Sequence, residues 1–234
     1  MELKELYVDS VQFSYKNSEP LITGAYLKCN TGDVIALFGR NGSGKSTLMQ
    51  LIFGSLEASN SFILINGKKT KKAYLSGKIG YLPQCSFLPT HEKVLDLVRL
   101  LVHDKDLRLR LVNDPRIQTL LDRKVYQLSG GESRYLEVWL LMCQPTDFLL
   151  LDEPFTGIEP IYITFILELI DCFREKKGFI VSDHNYRYLL DIASQVLLLQ
   201  NGSCQQIDRK EDLEFFYLPY GTFGEDNHST SKSK

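Results

Sequence analysis

Cysteine is scarce in this chain and follows no metal-binding or disulfide pattern. The five cysteines are scattered along the sequence at Cys29, Cys85, Cys143, Cys172 and Cys204. None of them has C-x-x-C spacing with another, and their number is odd, so neither a zinc site nor a disulfide framework is predicted. A reducing compartment, the cytoplasm, is the simplest expectation.

Long apolar runs and an excess of one charge are also missing. A membrane-spanning helix needs about 20 consecutive, mostly apolar residues, whereas the richest segment, 94–102, is short and contains Asp96 and Arg99. The first residues are charged and lack the apolar core of a signal peptide. The 27 basic and 29 acidic residues leave a net charge of −2. We therefore expect no spanning helix and no nucleic-acid partner.

The composition that remains is typical of a globular protein. Hydrophobic residues make up 44% and charged residues 24% of 234 residues, which suits one large domain, or one domain with a subdomain. We place that single domain over residues 1–223. The polar segment 224–234 is predicted to be a disordered tail.

Apolar segments alternate with amphipathic ones along most of the chain. β-Type segments dominate up to residue 65, and strands then alternate with helices from residue 131 onward, which predicts an α/β fold with a covered parallel sheet. Leucine and valine recur at helical spacing within the charge-rich residues 91–124. We interpret this region as a helical insertion, a subdomain of about residues 88–145. Asp208 is predicted to cap a final helix over residues 209–216.

A phosphate-binding loop is the most specific motif of the sequence. An apolar strand is followed by a segment that fits G-x-x-x-x-G-K-[ST], and an amphipathic helix comes next. The segment consists of Gly39, Arg40, Asn41, Gly42, Ser43, Gly44, Lys45, Ser46 and Thr47. Backbone N–H groups of such a loop point at phosphate oxygens, Lys45 would neutralise the β- and γ-phosphates, and Ser46 would offer its hydroxyl to Mg²⁺. A turn without ligand is the alternative, which both flanking elements disfavour.

Two carboxylates follow a second buried strand. Residues 148–151 are all apolar, and Asp152 and Glu153 come directly after them. Ligands of open α/β sheets bind at the carboxyl ends of strands. Asp152 is therefore predicted to hold Mg²⁺, directly or through water, and Glu153 to polarise the attacking water. Two solvated acids at a strand end are the alternative, which the phosphate loop disfavours.

A third motif leads to a known family. Residues 128–132 read Leu-Ser-Gly-Gly-Glu and precede a helix. With the two motifs above, in this order, the chain resembles the ATP-binding subunit of ABC transporters. The resemblance implies a P-loop ATPase fold of ABC type, with a mostly parallel sheet core, an antiparallel β subdomain and the helical insertion. It implies that Ser129, Gly130, Gly131 and Glu132 bind the γ-phosphate of ATP held by a second subunit, in a head-to-tail dimer.

Further site residues are assigned through the same resemblance. Tyr15 matches the aromatic residue that stacks on adenine. Gln84 matches the glutamine that touches Mg²⁺ and water and senses the membrane partner, and His184 matches the histidine that contacts the γ-phosphate. The catalytic set is then Glu153, His184, Lys45 and Gln84, and the metal set is Ser46, Gln84 and Asp152.

Some positions depart from the family pattern. The segment 156–159 ends in Glu159, where the family usually has Asp, which changes the reach of the charge. Two places after the signature motif that often hold arginine are Tyr135 and Leu140 here, with Arg134 one residue early. We therefore expect atypical helix packing in this region.

The resemblance implies an enzyme that uses ATP and Mg²⁺. It would power a transporter formed by separate transmembrane permease chains, as a homodimer on the inner face of the cell membrane, in the cytoplasm. Phe87, Leu88 and Pro89 are apolar residues of a loop and are predicted to dock that partner, with burial under the insertion as the alternative. An ABC-type ATPase regulating a soluble partner is the alternative function, and a nucleotide binder with little turnover is a third, which Glu153 disfavours.

Overall fold

The chain folds into two β-sheets with helices around them. The computed structural model describes residues 3–217 and 222, so the predicted tail, 224–234, and the end of the predicted domain lie outside the described residues. Numbered along the chain, the smaller antiparallel sheet contains β1 (Glu5–Phe13), β2 (Ile22–Asn30), β4 (Asn60–Ile65) and β5 (Lys68–Lys69). Its strand order is β2-β1-β4-β5.

The larger sheet is the centre of the fold. It contains β3 (Val34–Phe38), β6 (Ile79–Leu82), β7 (Phe148–Asp152), β8 (Gly178–Ser182), β9 (Gln195–Gln200) and β10 (Ser203–Gln206). The order is β10-β9-β3-β8-β7-β6, and among the described strands of this sheet only β9 and β10 pair in antiparallel fashion. Every residue of β3, β7 and β8 is buried, as expected for parallel strands covered on both faces.

Helices cover both faces of this sheet and form the insertion. They are α1 (Lys45–Phe53), α2 (Val94–Leu101), α3 (Lys105–Val112), α4 (Pro115–Gln118), α5 (Gly130–Met142), α6 (Pro160–Phe173), α7 (Tyr186–Ile192) and α8 (Leu213–Phe216). Short 3₁₀ turns occupy Ala73–Ser76, Val125–Gln127 and Lys210–Asp212. Alternate residues of β3 belong to two hydrophobic clusters on opposite faces, Val34 and Phe38 in one and Ile35 in the other. The predicted α/β class is confirmed, with the parallel core, the antiparallel sheet and the helices between β6 and β7.

A partly buried polar residue, Asp114, joins several parts of the helical insertion. Its carboxylate accepts hydrogen bonds from the Tyr135 hydroxyl at 2.6 Å and the Trp139 indole N–H at 3.0 Å, and it also caps α4. The Arg116 guanidinium donates to the same tyrosine at 3.2 Å and lies 3.8 Å from the centre of the Phe165 ring. Tyr135, one of the positions that depart from the family pattern, thus joins α5 to α4 through hydrogen bonds.

The predicted cap at Asp208 is wrong. The last helix begins only at Leu213, after the 3₁₀ turn, and its N-cap is Asp212. Asp208 instead accepts a hydrogen bond from the Gln206 side chain at 3.3 Å. The Arg209 guanidinium bonds to Asp212 at 2.8 Å, and this local ion pair belongs to the turn that delays the helix. Within residues 3–217, none of the helices has the length and apolar character needed to cross a bilayer.

Gly178 offers a test of the packing between the two sheets. A Cβ atom there would stand 2.6 Å from the Asn30 carbonyl oxygen and 2.8 Å from both Cys29 Sγ and Phe148 Cδ1. Since a backbone carbonyl cannot rotate away, we expect Gly178→Ala to lower the free energy of unfolding by about 1–3 kcal/mol, measured by urea denaturation. Gly80→Ala is the control, because its closest contact, at 2.6 Å, is the end of the flexible Leu149 side chain. An equal decrease in the free energy of unfolding in both variants would contradict the packing argument.

Candidate active site

The carboxyl ends of four parallel strands meet at one edge of the central sheet. The phosphate loop follows β3, and Gln84 follows β6. Asp152 ends β7 with Glu153 directly after it, and His184 follows β8. These ends border a cleft of about 510 Å³, lined by Tyr15, Leu21, Asn41, Gly42, Gly44, Lys45, Ser46, Thr47, Gln84, Glu153 and His184. A larger cleft of about 720 Å³, near the end of α1, contains none of the predicted site residues.

The phosphate loop wraps around the side chain of Lys45. The ammonium group donates to the carbonyl oxygens of Gly39 at 2.7 Å and Arg40 at 3.4 Å. A Cβ atom on Gly39 would stand 2.5 Å from Ser43 Oγ and 2.7 Å from the Leu199 carbonyl, so no larger residue fits there. Burial lowers the pKa of Lys45, against the opposing effect of the Glu153 and Asp152 carboxylates. The loop therefore holds the Lys45 ammonium group close to the N-terminus of α1, and this arrangement suits the binding of phosphate.

The two carboxylate oxygens of Asp152 differ in their hydrogen bonding. The Tyr81 hydroxyl donates to Oδ2 at 3.1 Å. Oδ1 is buried and has no hydrogen-bond partner within the described residues, a costly state for an ionised oxygen. Burial raises the pKa of Asp152, although the Ser46 and Tyr81 hydroxyls oppose the shift. A divalent cation at Oδ1 would satisfy this oxygen, so the residues present fit the expected metal.

The other two predicted metal ligands lie beside Asp152. The Gln84 side chain donates from Nε2 to the Ser46 hydroxyl at 3.1 Å, so the hydroxyl, the amide and the carboxylate share one small region. Oxygen ligands of this kind suit Mg²⁺, which usually needs only one or two protein groups besides substrate phosphates. When bound, Mg²⁺ would act there as a Lewis acid on phosphoryl oxygens. Ser46, Gln84 and Asp152 remain predictions as ligands.

Glu153 is fixed by contacts from the ends of two other strands, β6 and β8. Its backbone N–H donates to the Ser182 carbonyl at 2.7 Å, and its φ of 52° is rare for a residue other than glycine. Its carboxylate Oε1 accepts from Gln84 Nε2 at 2.9 Å and lies 3.2 Å from His184 Nε2. Backbone strain of this kind is typical of functional sites. The arrangement can orient a water molecule and accept its proton.

Asp183 ties the loops after β7 and β8 together, which sequence reasoning missed. It is 1% exposed, and its two oxygens accept from the Phe155 N–H at 2.7 Å and the Asn185 N–H at 2.8 Å. Burial raises the pKa of Asp183, and these backbone N–H groups oppose the shift. An acid directly before His184 was the available sequence signal. Its contacts keep His184 and Glu153 on neighbouring, mutually fixed segments.

Tyr15 lies at the edge of the cleft. Its ring is 49% exposed and packs edge-on against Phe13 at 4.8 Å between centroids. Its hydroxyl is 3.2 Å from the Thr47 hydroxyl, so the ring is held beside the phosphate loop with an exposed face. The predicted stacking of adenine on this ring stays a prediction.

The signature residues do not line this cleft. Ser129 is the N-cap of α5 and accepts from the Glu132 N–H at 3.2 Å, while Glu132 accepts from the Ser129 N–H at 2.7 Å. Burial alone would raise the pKa of Glu132, but the Ser129 N–H and the Arg123 guanidinium keep this pKa below its usual value. A Cβ on Gly131 would overlap the Tyr162 ring, and the Glu159 carboxylate lies against the same spot. Within one chain, the predicted nucleotide-binding residues therefore lie on two separate surfaces, the cleft and the N-terminus of α5.

Comparisons with known proteins agree with this fold and motif order. A family model described as "ABC transporter" matches residues 22–156. The lipopolysaccharide export system ATP-binding protein LptB of Haemophilus influenzae is 28% identical, over 91% of this chain and 96% of its own. LptB of Escherichia coli K12 is 30% identical, over 82% of this chain and 88% of its own. A solved structure titled "Structure of ATP binding subunit of ABC transporter" superposes with a TM-score of 0.79 at 22% identity, covering 90% of this chain and 92% of that chain.

Tyr81 is a second residue that sequence reasoning missed, and its contact with Asp152 generates a prediction. Tyr81→Phe removes the bond to Oδ2 and lets the carboxylate rotate, so we expect metal affinity in the presence of a non-hydrolysable ATP analogue to fall about tenfold. Mn²⁺ titration followed by electron paramagnetic resonance measures this directly. Tyr74→Phe is the matched control, since that ring packs on the same Phe53 as Tyr81. Unchanged Mn²⁺ affinity in Tyr81→Phe would contradict the assignment.

Proposed function

The chain belongs to the ABC transporter family, and from that premise we propose that it binds and hydrolyses ATP to power a transporter formed by separate transmembrane chains. The observation that carries the proposal is the position of Glu153. Its carboxylate lies within hydrogen-bond distance of Gln84 and His184, at the cleft that Lys45 and Ser46 line. A nucleotide binder without turnover has no need of a carboxylate held in this way.

The chemistry follows from what each side chain offers. Lys45 and the loop N–H groups would hold the β- and γ-phosphates of the substrate ATP, and Glu153 would take a proton from the attacking water. His184, beside Glu153, would contact the γ-phosphate and keep the carboxylate oriented. The metal set of Ser46, Gln84 and Asp152 would hold Mg²⁺ between them. Such a site acts by positioning and electrostatics, since little covalent chemistry is required of the protein.

A second subunit is part of the proposal. Ser129 and Glu132 open the N-terminus of α5, which is a surface suited to an anion, yet they lie outside the cleft of their own chain. A second copy placed head-to-tail would bring this surface to the γ-phosphate bound by Lys45 of the first. The site is incomplete without that copy, so ATP would join the two subunits, and hydrolysis would release them.

The membrane partner is proposed to dock next to Gln84. Of the three apolar residues predicted for docking, Phe87 is 41% exposed and Pro89 is also exposed, whereas Leu88 is 5% exposed and belongs to the core, so only Phe87 and Pro89 can take part. The relatives named LptB are described as parts of a lipopolysaccharide export system, which supports a membrane transporter as partner. The subunit would then lie on the inner face of the cell membrane. Regulation of a soluble partner is the alternative.

We expect Glu153→Gln to stop turnover while ATP binding is retained, because the amide keeps the shape of the side chain but cannot accept a proton. Phosphate release and isothermal calorimetry measure the two properties. ATP should then trap a dimer that is visible by size-exclusion chromatography, and Ser129→Arg in the same background should abolish it. Lys45→Ala is the binding control and should lose ATP affinity. A trapped dimer that survives Ser129→Arg would rule out the head-to-tail arrangement.

For docking, we expect Phe87→Ser to reduce membrane association several-fold, because an exposed apolar contact is lost, while ATPase activity of the isolated protein is unchanged. Sedimentation with membranes that contain the partner measures this association. Phe62→Ser is the matched control, as Phe62 is 38% exposed on the antiparallel sheet. If Phe87→Ser lowers ATPase activity as much as membrane association, the residue is structural and the docking proposal fails.

A further inference from the structure

We propose that Arg134 and Glu137 are positioning residues that make the segment around Gln84 and helix α5 move as one unit when ATP binds. The proposal rests on the proposed function, in which Gln84 belongs to the ATP site and α5 begins at the signature residues. It concerns an arginine whose place in the sequence departs from the family pattern.

Arg134 forms hydrogen bonds with the backbone of the segment that carries Gln84. Its guanidinium donates from Nη1 to the Pro83 carbonyl at 2.9 Å and from Nη2 to the Gln84 carbonyl at 2.6 Å. The same group forms an ion pair with Glu137 Oε2 at 3.1 Å. The other oxygen, Glu137 Oε1, accepts from the Phe87 N–H at 3.2 Å. One turn of α5 therefore holds both ends of the segment 83–87.

The burial of this pair indicates a role other than stability. The side chains of Arg134 and Glu137 are 9% and 2% exposed. A buried ion pair adds little net stability compared with apolar residues of the same volume, because both charges must be desolvated. What it does provide, when every donor and acceptor is matched, is one defined arrangement of the parts that it joins. The planar fork of arginine presents Nη1 and Nη2 to the two neighbouring carbonyls in a fixed geometry, whereas lysine would have to reach both carbonyls and Glu137 from a single nitrogen.

The joined parts lead directly to the ATP site. The side chain of Gln84 contacts the Ser46 hydroxyl at 3.1 Å and Glu153 at 2.9 Å, while the carbonyl of the same residue is bonded to Arg134. A ligand that enters the cleft and draws Gln84 toward it must therefore pull on α5. Ser129 caps the beginning of that helix, so the state of one ATP site is passed to the surface that would meet the other. The Phe87 amide is attached to the same turn, which brings the docking segment into the unit.

The chain contains a natural reporter of α5. Trp139 is its single tryptophan and lies on this helix, 4% exposed. Its indole N–H bonds to Asp114 at 3.0 Å and its ring packs edge-on against Phe173 at 5.8 Å. A displacement of α5 against α6 changes the contact with Phe173, so Trp139 fluorescence follows the helix, whereas calorimetry follows ATP binding.

The test uses the full chain with Glu153→Gln, which prevents turnover, at a concentration where it is monomeric. We expect ATP to change Trp139 fluorescence in this parent. Arg134→Met combined with Glu137→Met removes both charges together, and Arg134→Lys keeps the charge but loses the fork. We expect the fluorescence change to shrink several-fold in both variants, because the bonds that couple Gln84 to α5 are lost. ATP affinity by calorimetry should stay close to that of the parent.

A matched control is the exposed Asp96–Arg99 pair, which has the same i,i+3 spacing on α2. Its double methionine variant should keep the full fluorescence change. If the Arg134 variants keep the full fluorescence change of the parent, the proposal is overturned. It is also overturned if the parent binds ATP without any change in Trp139 fluorescence. If the double variant fails to fold, Arg134→Lys alone decides. A parent that does not bind ATP would instead contradict the proposed function, so the two failures are distinguishable.

Discussion

The common edge at which four buried parallel strands end constrains the position of every group in the cleft. Strands β3, β6, β7 and β8 are paired in a fixed register, for example Asp152 opposite Ser182. Because the carboxyl ends of parallel strands lie together, the loops after them deliver Lys45, Gln84, Glu153 and His184 to one place. None of these side chains needs a long loop to reach it.

Contacts between the loops refine this arrangement. Asp183 holds the segment after β7 to the segment after β8, and Tyr81 occupies one oxygen of Asp152 so that the other stays available. Gln84 is the residue at which these contacts converge, since its side chain lies in the cleft and its carbonyl is held by Arg134 from α5. In the proposed head-to-tail dimer, the helical insertion would do more than dock a partner, because α5 would connect one ATP site physically to the other.

The parts of the site that could be predicted from the sequence are those formed by consecutive residues. The phosphate loop and the Asp152–Glu153 pair each follow an apolar strand, and helix α1 has the predicted bounds of Lys45–Phe53. Tyr81 could not be assigned, because the direction of its side chain depends on the pairing of β6 with β7. Leu88 and Phe87 are adjacent and equally apolar, and only the packed insertion decides which one is buried. Asp208 had the right residue type for a cap, but a neighbouring turn determined where the helix begins.

The most direct test of this account is the structure of the Glu153→Gln protein with Mg²⁺ and ATP. We expect two chains head-to-tail, with each ATP contacted by Lys45 of one chain and Ser129 of the other. The metal should touch Ser46 and the Oδ1 side of Asp152, with Tyr81 still bonded to Oδ2. ATP bound entirely within one chain, with Ser129 facing solvent, would contradict the account.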